Sequence, residues 1–218
     1  MSGFVRGALA IALLLTPATV ARAQAAAAPA PDRGYAMAVA ESAFGNVTSQ
    51  SFGAEIGVTV RPELQVFGSF GMIRDVATTE IGTAASTIAL ALSQLQPSAV
   101  SYSVKEPVTF FTGGVRYRFK VASKLAPYVA GGIGVASVKK DVKFLIGGSD
   151  ASGTLAQYVT LGSDIAGDES KMMFTLGAGV VYPVWQQVIV DLHYQFGRIS
   201  TEIPITVNRA GIGVGIRF

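Results

Sequence analysis

From Gly34 onward the apolar positions recur at every second residue, the period of a β-strand with one greasy face. Eight such runs are legible. The first, Gly34 to about Ala43, carries Tyr35, Met37 and Val39 on one face and alanines on the other. The second, Phe52 to Val60, sets Phe52, Ala54, Ile56, Val58 and Val60 against Gly53, Glu55, Gly57 and Thr59. The third runs from Leu64 to about Arg74. The fourth, "VTFFTGGVRYRFKV", places Phe111, Val115, Tyr117 and Phe119 opposite Thr112, Gly114, Arg116, Arg118 and Lys120. The fifth spans about Pro127 to Lys140, the sixth about Met172 to Val184, and the seventh Val188 to Ile199. The eighth is the closing "RAGIGVGIRF", with Ala210, Ile212, Val214, Ile216 and Phe218 on one side and arginines and glycines on the other.

The connections alternate in length. "RPE", "ASKLA" and "PVWQQ" follow the second, fourth and sixth strands, whereas about thirty residues follow the third and the fifth. The pattern predicts an up-and-down antiparallel sheet with its short turns at one end and its long loops at the other. Within the first long loop, "TEIGTAASTIALALSQLQP" (Thr79 to Pro97) repeats Ile81, Ala85, Ile88, Leu92 and Leu95 at helical spacing. A threonine at 78 or 79 suits the cap, Glu80 the first turn and Pro97 the stop. Four placements are open for this helix: over the mouth of the barrel, on a membrane surface, against a partner, or packed on its own barrel. The second long loop, Phe144 to Lys171, is rich in Gly, Ser and Asp and ends in the acidic "GSDIAGDES", which fits no calcium loop and reads as a solvated tip.

Composition decides the solvent. Of 218 residues 50% are hydrophobic and only 14% charged, against about 25% in ordinary soluble domains. Residues 1–23 have a basic start (Arg6), an apolar run and "ARA" before Gln24, the features of an export signal. The mature remainder holds no run of about 20 apolar residues such as a spanning helix needs. Residues 24–33 form an Ala/Pro linker, and 34–218 a single domain. Removing Arg6 and Arg22 lowers the net charge from +3 to +1, so nothing suggests nucleic acid. The chain has no cysteine and one histidine, which argues against metal or redox chemistry; neither metal nor cofactor is expected.

The polar face of the strands is mostly Gly, Ala, Ser and Thr. That suits the narrow interior of an eight-stranded barrel and poorly suits a water-facing exterior, which wants dense mixed charge. The apolar face agrees: Tyr117, Phe119, Tyr182 and Phe218 lie towards one rim, and Phe52, Phe111, Phe174, Tyr194 and Phe196 towards the other, as in paired aromatic girdles. The expected fold is therefore all-β, an eight-stranded antiparallel transmembrane barrel with a short helix in its second external loop.

An exported chain whose alternating strands close on a terminal Phe resembles the outer-membrane β-barrel family, in particular the eight-stranded opacity-protein and outer-membrane-protein-A-type barrels. The resemblance covers Gly34 to Phe218. It implies residence in a bacterial outer membrane, among its lipid and lipopolysaccharide, and recognition of Phe218 by the barrel-assembly machinery. No peptidoglycan-binding domain follows the barrel here, so cell-wall anchoring is not expected.

The inward charges are Glu55, Arg116, Arg118, Lys120, Asp191, Arg209 and Arg217, with His193 among them. Buried charges must pair, and the sequence offers Asp191 with Arg217, and Glu55 with the Arg116/Arg118 side. Two outcomes are open: a salt-bridged plug, or a small pore preferring anions, since two acids face five bases. Some barrels of this class are lipid A deacylases or acyltransferases using histidine and serine, but Tyr194 and Gln195 bring no nucleophile to His193. A structural, non-enzymatic surface protein is expected, with loops 76–106 and 141–171 free to meet an extracellular partner. Arg74, Lys105, Lys139, Lys140 and Arg198 lie at the outer strand ends, where lipopolysaccharide phosphates would be met.

Overall fold

The computed structural model describes residues 33–95, 97–151 and 167–218. The proposed export signal, most of the linker and the first part of the acidic tip lie outside these residues.

Among the described residues, ten strands and one helix follow in order: β1 (Gly34–Phe44), β2 (Ser49–Arg61), β3 (Leu64–Ile73), α1 (Thr79–Leu95), β4 (Val100–Lys105), β5 (Val108–Arg118), β6 (Ala126–Ile146), β7 (Ser149–Asp150), β8 (Gly167–Pro183), β9 (Val188–Ile199) and β10 (Ile205–Arg217). Eight of them close on themselves in the cyclic order β1-β2-β3-β5-β6-β8-β9-β10, every neighbour antiparallel. Closure leaves no unpaired edge in the wall, which hydrocarbon demands because it offers no hydrogen-bond partner. At the seam Tyr35 faces Arg217 and Phe44 faces Asn208. Beyond it the Phe218 amide donates to the Gly34 carbonyl at 3.0 Å and the Gly34 amide returns a bond to Phe218 at 2.9 Å.

Outward positions are apolar and exposed: Ile56, Val58, Phe70, Val115, Ile133, Leu176, Leu192, Ile212 and Val214 all lie on the wall's outer surface. All the proposed girdle aromatics except Phe196 are among the exposed large apolar side chains, and Trp185, in the β8–β9 turn, joins them at 74% exposure. In β1 the polarity is reversed. Tyr35 and Met37 are buried, whereas Ala38 and Ala40 are exposed. The cause is the neighbouring strand: Met37, Val39 and Glu41 sit opposite Gly215, Gly213 and Gly211, whose missing side chains leave room for large ones.

Three expectations are corrected by the outer half. β6 has 21 residues, about twice what a membrane-crossing strand needs, so the second long loop is strand up to Ile146 and again from Gly167. Its outer segment pairs with β4, from Val100↔Ile146 to Lys105↔Asp141, and this two-stranded arm carries α1. Ala85, Ala89 and Leu92 are buried against Phe144, with Ile88, Val100, Val104 and Val142 around them, while Leu95 is exposed. Of the four placements open to the helix, the one seen is packing on its own barrel, through the outer extension of β6 and the β4 strand paired with it. The closing strand, expected from Arg209, begins earlier, so that Ile205 to Val207 belong to β10.

Candidate functional site: the filled lumen

Inward positions alternate with the wall residues, so each lumen side chain is placed by strand parity. Odd positions of β1, β2, β3, β9 and β10 point in, as do even positions of β5 and β6. The bore is occupied in layers. In the outer half lies an apolar cluster: Ala43, Ile73, Val76, Val108, Phe110, Ala136, Val138, Met173, Ile199, Ile205 and Val207, all 4% exposed or less. The expectation of a polar interior fails here, because at these strand ends apolar side chains such as Phe110, Met173 and Ile199 turn inward. Burying them contributes about 1.5–3 kcal/mol per large side chain.

Below the plug is an ion-paired layer. Arg209 Nη1 donates to Glu41 Oε2 at 3.0 Å, and Nη2 to Gln195 Oε1. The Ser51 hydroxyl donates to the same Glu41 oxygen at 2.8 Å. His193 Nε2 is 3.0 Å from Glu41 Oε1, and Nδ1 is 3.5 Å from Asp191 Oδ2. Tyr128 donates to Asp191 Oδ2 at 2.8 Å. Arg116 Nη2 is 2.5 Å from Glu55 Oε1 and 3.9 Å from Asp191 Oδ2, and Tyr35 donates to Glu55 at 2.7 Å. The Arg116 guanidinium carbon sits 3.9 Å from the Tyr128 ring centre and 4.7 Å from that of Tyr35, a cation held between two π faces. Three carboxylates thus meet two guanidinium groups and one imidazole, the pairing of opposite charges that burial requires.

The structure brings together Glu55, Arg116, Asp191, His193 and Arg209 and separates the other three proposed lumen cations. Lys120 lies past the end of β5, exposed, and pairs with Glu63 of the β2–β3 turn. Arg118 Nη2 donates to the Pro62 carbonyl at 2.9 Å, and Arg217 Nε to the Gln186 carbonyl at 3.0 Å, both at the rim of short turns. The proposed Asp191–Arg217 pair does not form, because the β9–β10 register puts Gly213 opposite Asp191. Glu41 escaped the sequence reading: its face of β1 starts with Tyr35, Met37 and Val39, which reads as a lipid face. The signal that finds it is the glycine comb on β10, which needs bulk opposite.

A further buried acid stands outside the barrel wall, between β4 and β5. Glu106 joins β4 to β5, is 3% exposed, and its Oε2 accepts from the Thr78 amide at 2.7 Å, just before α1. Burial holds its carboxyl above the usual carboxylate range.

No group of His, Cys, Asp and Glu suited to a metal ion occurs among the described residues.

The model of the outer membrane protein β-barrel domain matches residues 10–218. Comparison with curated protein sequences yields no match. Among solved structures, the chain is similar to Neisserial surface protein A, with 14% identity, a TM-score of 0.54, and 85% of this chain and 96% of that one covered. It is also similar to the N-terminal β-barrel domain of Pseudomonas aeruginosa OprF, with 16% identity, a TM-score of 0.50, and 86% and 98% covered. At such identities the likeness is one of fold, and it is the fold that alternation, closure and a lipid-facing exterior demand. The chain belongs to the outer membrane protein β-barrel domain family, as an eight-stranded barrel of the bacterial outer membrane.

Proposed function

We propose that the protein is a structural, surface-exposed barrel whose lumen passes no solute and whose external module serves recognition or adhesion. The observation that carries this reading is the apolar cluster across the outer half of the bore, with Ile73, Val108, Met173 and Ile199 at 0% exposure, stacked on the ion-paired layer. An eight-stranded barrel has an interior only wide enough for side chains, and here they fill it. The external arm supports the second part. Helix α1 is held on β4 and β6 by a core of its own, so it presents a shaped surface to the outside, and loops of this kind carry specificity. Its partners on this reading are outer-membrane lipid and lipopolysaccharide around the wall, the barrel-assembly machinery acting on Phe218, and an extracellular partner meeting loops 76–106 and 141–171.

The pore reading would require a path through the plug. The enzyme reading would require an accessible base, yet both ring nitrogens of His193 face carboxylates inside the barrel. Planar-bilayer recording of the purified protein tests the proposal. A silent membrane is expected, and stable open currents of uniform size would refute a closed lumen. Lipid profiles unchanged on overexpression are expected if no lipid is modified.

A further inference from the structure

The two ends of the barrel differ in charge. Among the described residues, the short-turn end carries six cations, Arg33, Arg61, Arg118, Lys120, Lys124 and Arg217, against one acidic side chain, Glu63. Counting Asp32, which precedes them in the chain and lies outside the described residues, still leaves an excess of four positive charges. At the other end, residues 74–106, 139–150, 167–171 and 198–202 carry seven cations and eight acids, and Glu169 pairs there with both Lys140 and Lys171 at 3.2 Å. Long basic side chains snorkel to water at either rim of a membrane, so snorkelling alone predicts no such difference.

The short turns also set apolar side chains among the cations. Arg118 Nη2 and Arg217 Nε are held on turn carbonyls, those of Pro62 and Gln186. Arg33, Arg61, Lys120 and Lys124 are exposed, and Lys120 also pairs with Glu63. Beside them, Val121 and Leu125 in the β5–β6 turn and Val184 and Trp185 in the β8–β9 turn stand 47–74% exposed.

This mixture selects the partner. A soluble polyanion would meet the cations and leave the apolar turn residues in water. A leaflet with negative headgroups meets both sets, taking the apolar side chains out of water while its phosphates face the basic ones. The end bearing the short turns is periplasmic in barrels of this class.

We infer that the short-turn rim is a binding surface for anionic phospholipid of the periplasmic leaflet, with Arg33, Arg61, Lys120 and Lys124 meeting the headgroups and Val121, Leu125 and Trp185 seated among the chains. The inference rests on the lipid-facing wall of the reading above, to which it adds the charge of the lipid at one rim, and it holds whether or not the lumen is closed.

Trp185 is the single tryptophan of the chain and stands in this rim, so its fluorescence reports the lipids beside it. The full barrel is refolded into phosphatidylcholine vesicles holding a minor share of phosphatidylglycerol, with bromine on the chains of one lipid or the other. Brominated phosphatidylglycerol should quench Trp185 as though enriched about fivefold over its share of the bilayer, the factor that one basic residue near an anionic surface supplies. High salt, which screens exposed charge, should remove the enrichment in wild type. So should the Arg33→Gln/Arg61→Gln/Lys124→Gln variant, whose folding is confirmed by heat-dependent gel mobility. Quenching in proportion to each lipid's share in wild type overturns the inference, as does an enrichment that survives both salt and the variant. Cosedimentation with purified peptidoglycan and no lipid preference would give the surface to a wall polymer and overturn it equally. Absence of quenching by either lipid would defeat the lipid-facing wall itself, and this inference with it.

Discussion

Arg209 of the last strand and Glu41 of the first meet across the seam that closes the barrel, Nη1 to Oε2 at 3.0 Å, with side chains 2% and 4% exposed. Removing one partner strands the other charge in the bore, at a cost of about 3–5 kcal/mol. Glu41→Ala should therefore lower the midpoint of urea unfolding in lipid vesicles markedly. The Glu41→Leu/Arg209→Met pair should recover part of the loss, because the arginine charge is no longer stranded, although His193 and Ser51 still lack their Glu41 acceptor. A double variant no more stable than Glu41→Ala would show that the pair does more than satisfy itself.

Gly179 and Gly68 provide a contrast in packing. A Cβ on Gly179 would lie 2.6 Å from the Tyr128 hydroxyl and 2.8 Å from the Leu192 carbonyl, whereas one on Gly68 meets nothing within 4 Å. Gly179→Ala should push Tyr128 off Asp191 and reduce the folded yield, as overpacking generally costs about 1–3 kcal/mol. Gly68→Ala should fold like wild type. Refolding yields read from gel mobility decide both.

The external module should come apart separately from the wall. Leu92 and Phe144 are 0% and 1% exposed in a core that α1 shares with the β4–β6 arm. Leu92→Ala removes about 2–5 kcal/mol of packing, so limited proteolysis should cut near α1 much faster. Barrel mobility on gels should be unchanged, since the ladder lies elsewhere.

Glu106 makes the anchor of α1 depend on pH. Burial raises its carboxyl above the unfolded value, so its contribution is fully present below the unfolded pKa and is lost as pH rises through the folded one. Exchange of the Thr78 amide, corrected for intrinsic rate, should be slowest in mild acid and accelerate above the ordinary carboxylate range. In Glu106→Gln, which keeps an acceptor without a charge, that dependence should vanish.

Alternation determined the wall except in β1, whose faces the glycines of β10 decide. Val188 to Ile199 was legible residue for residue as β9, and so was the outward face of β10, because a lipid-facing position admits little but apolar side chains. The helix was legible for the same reason, a one-sided apolar pattern at its own period. The interior followed different rules. A lumen position is chosen by the volume left by its neighbours, which belong to strands distant in sequence. Glu41 finds Arg209 over 168 residues, and Arg116 finds Glu55 over 61. Only closure and register decide such meetings: a shift of the β9–β10 register would have given Asp191 another partner than the one it has. Strand identity is thus written locally by solvent preference, whereas the plug and the ion pairs exist only once eight strands have closed around them.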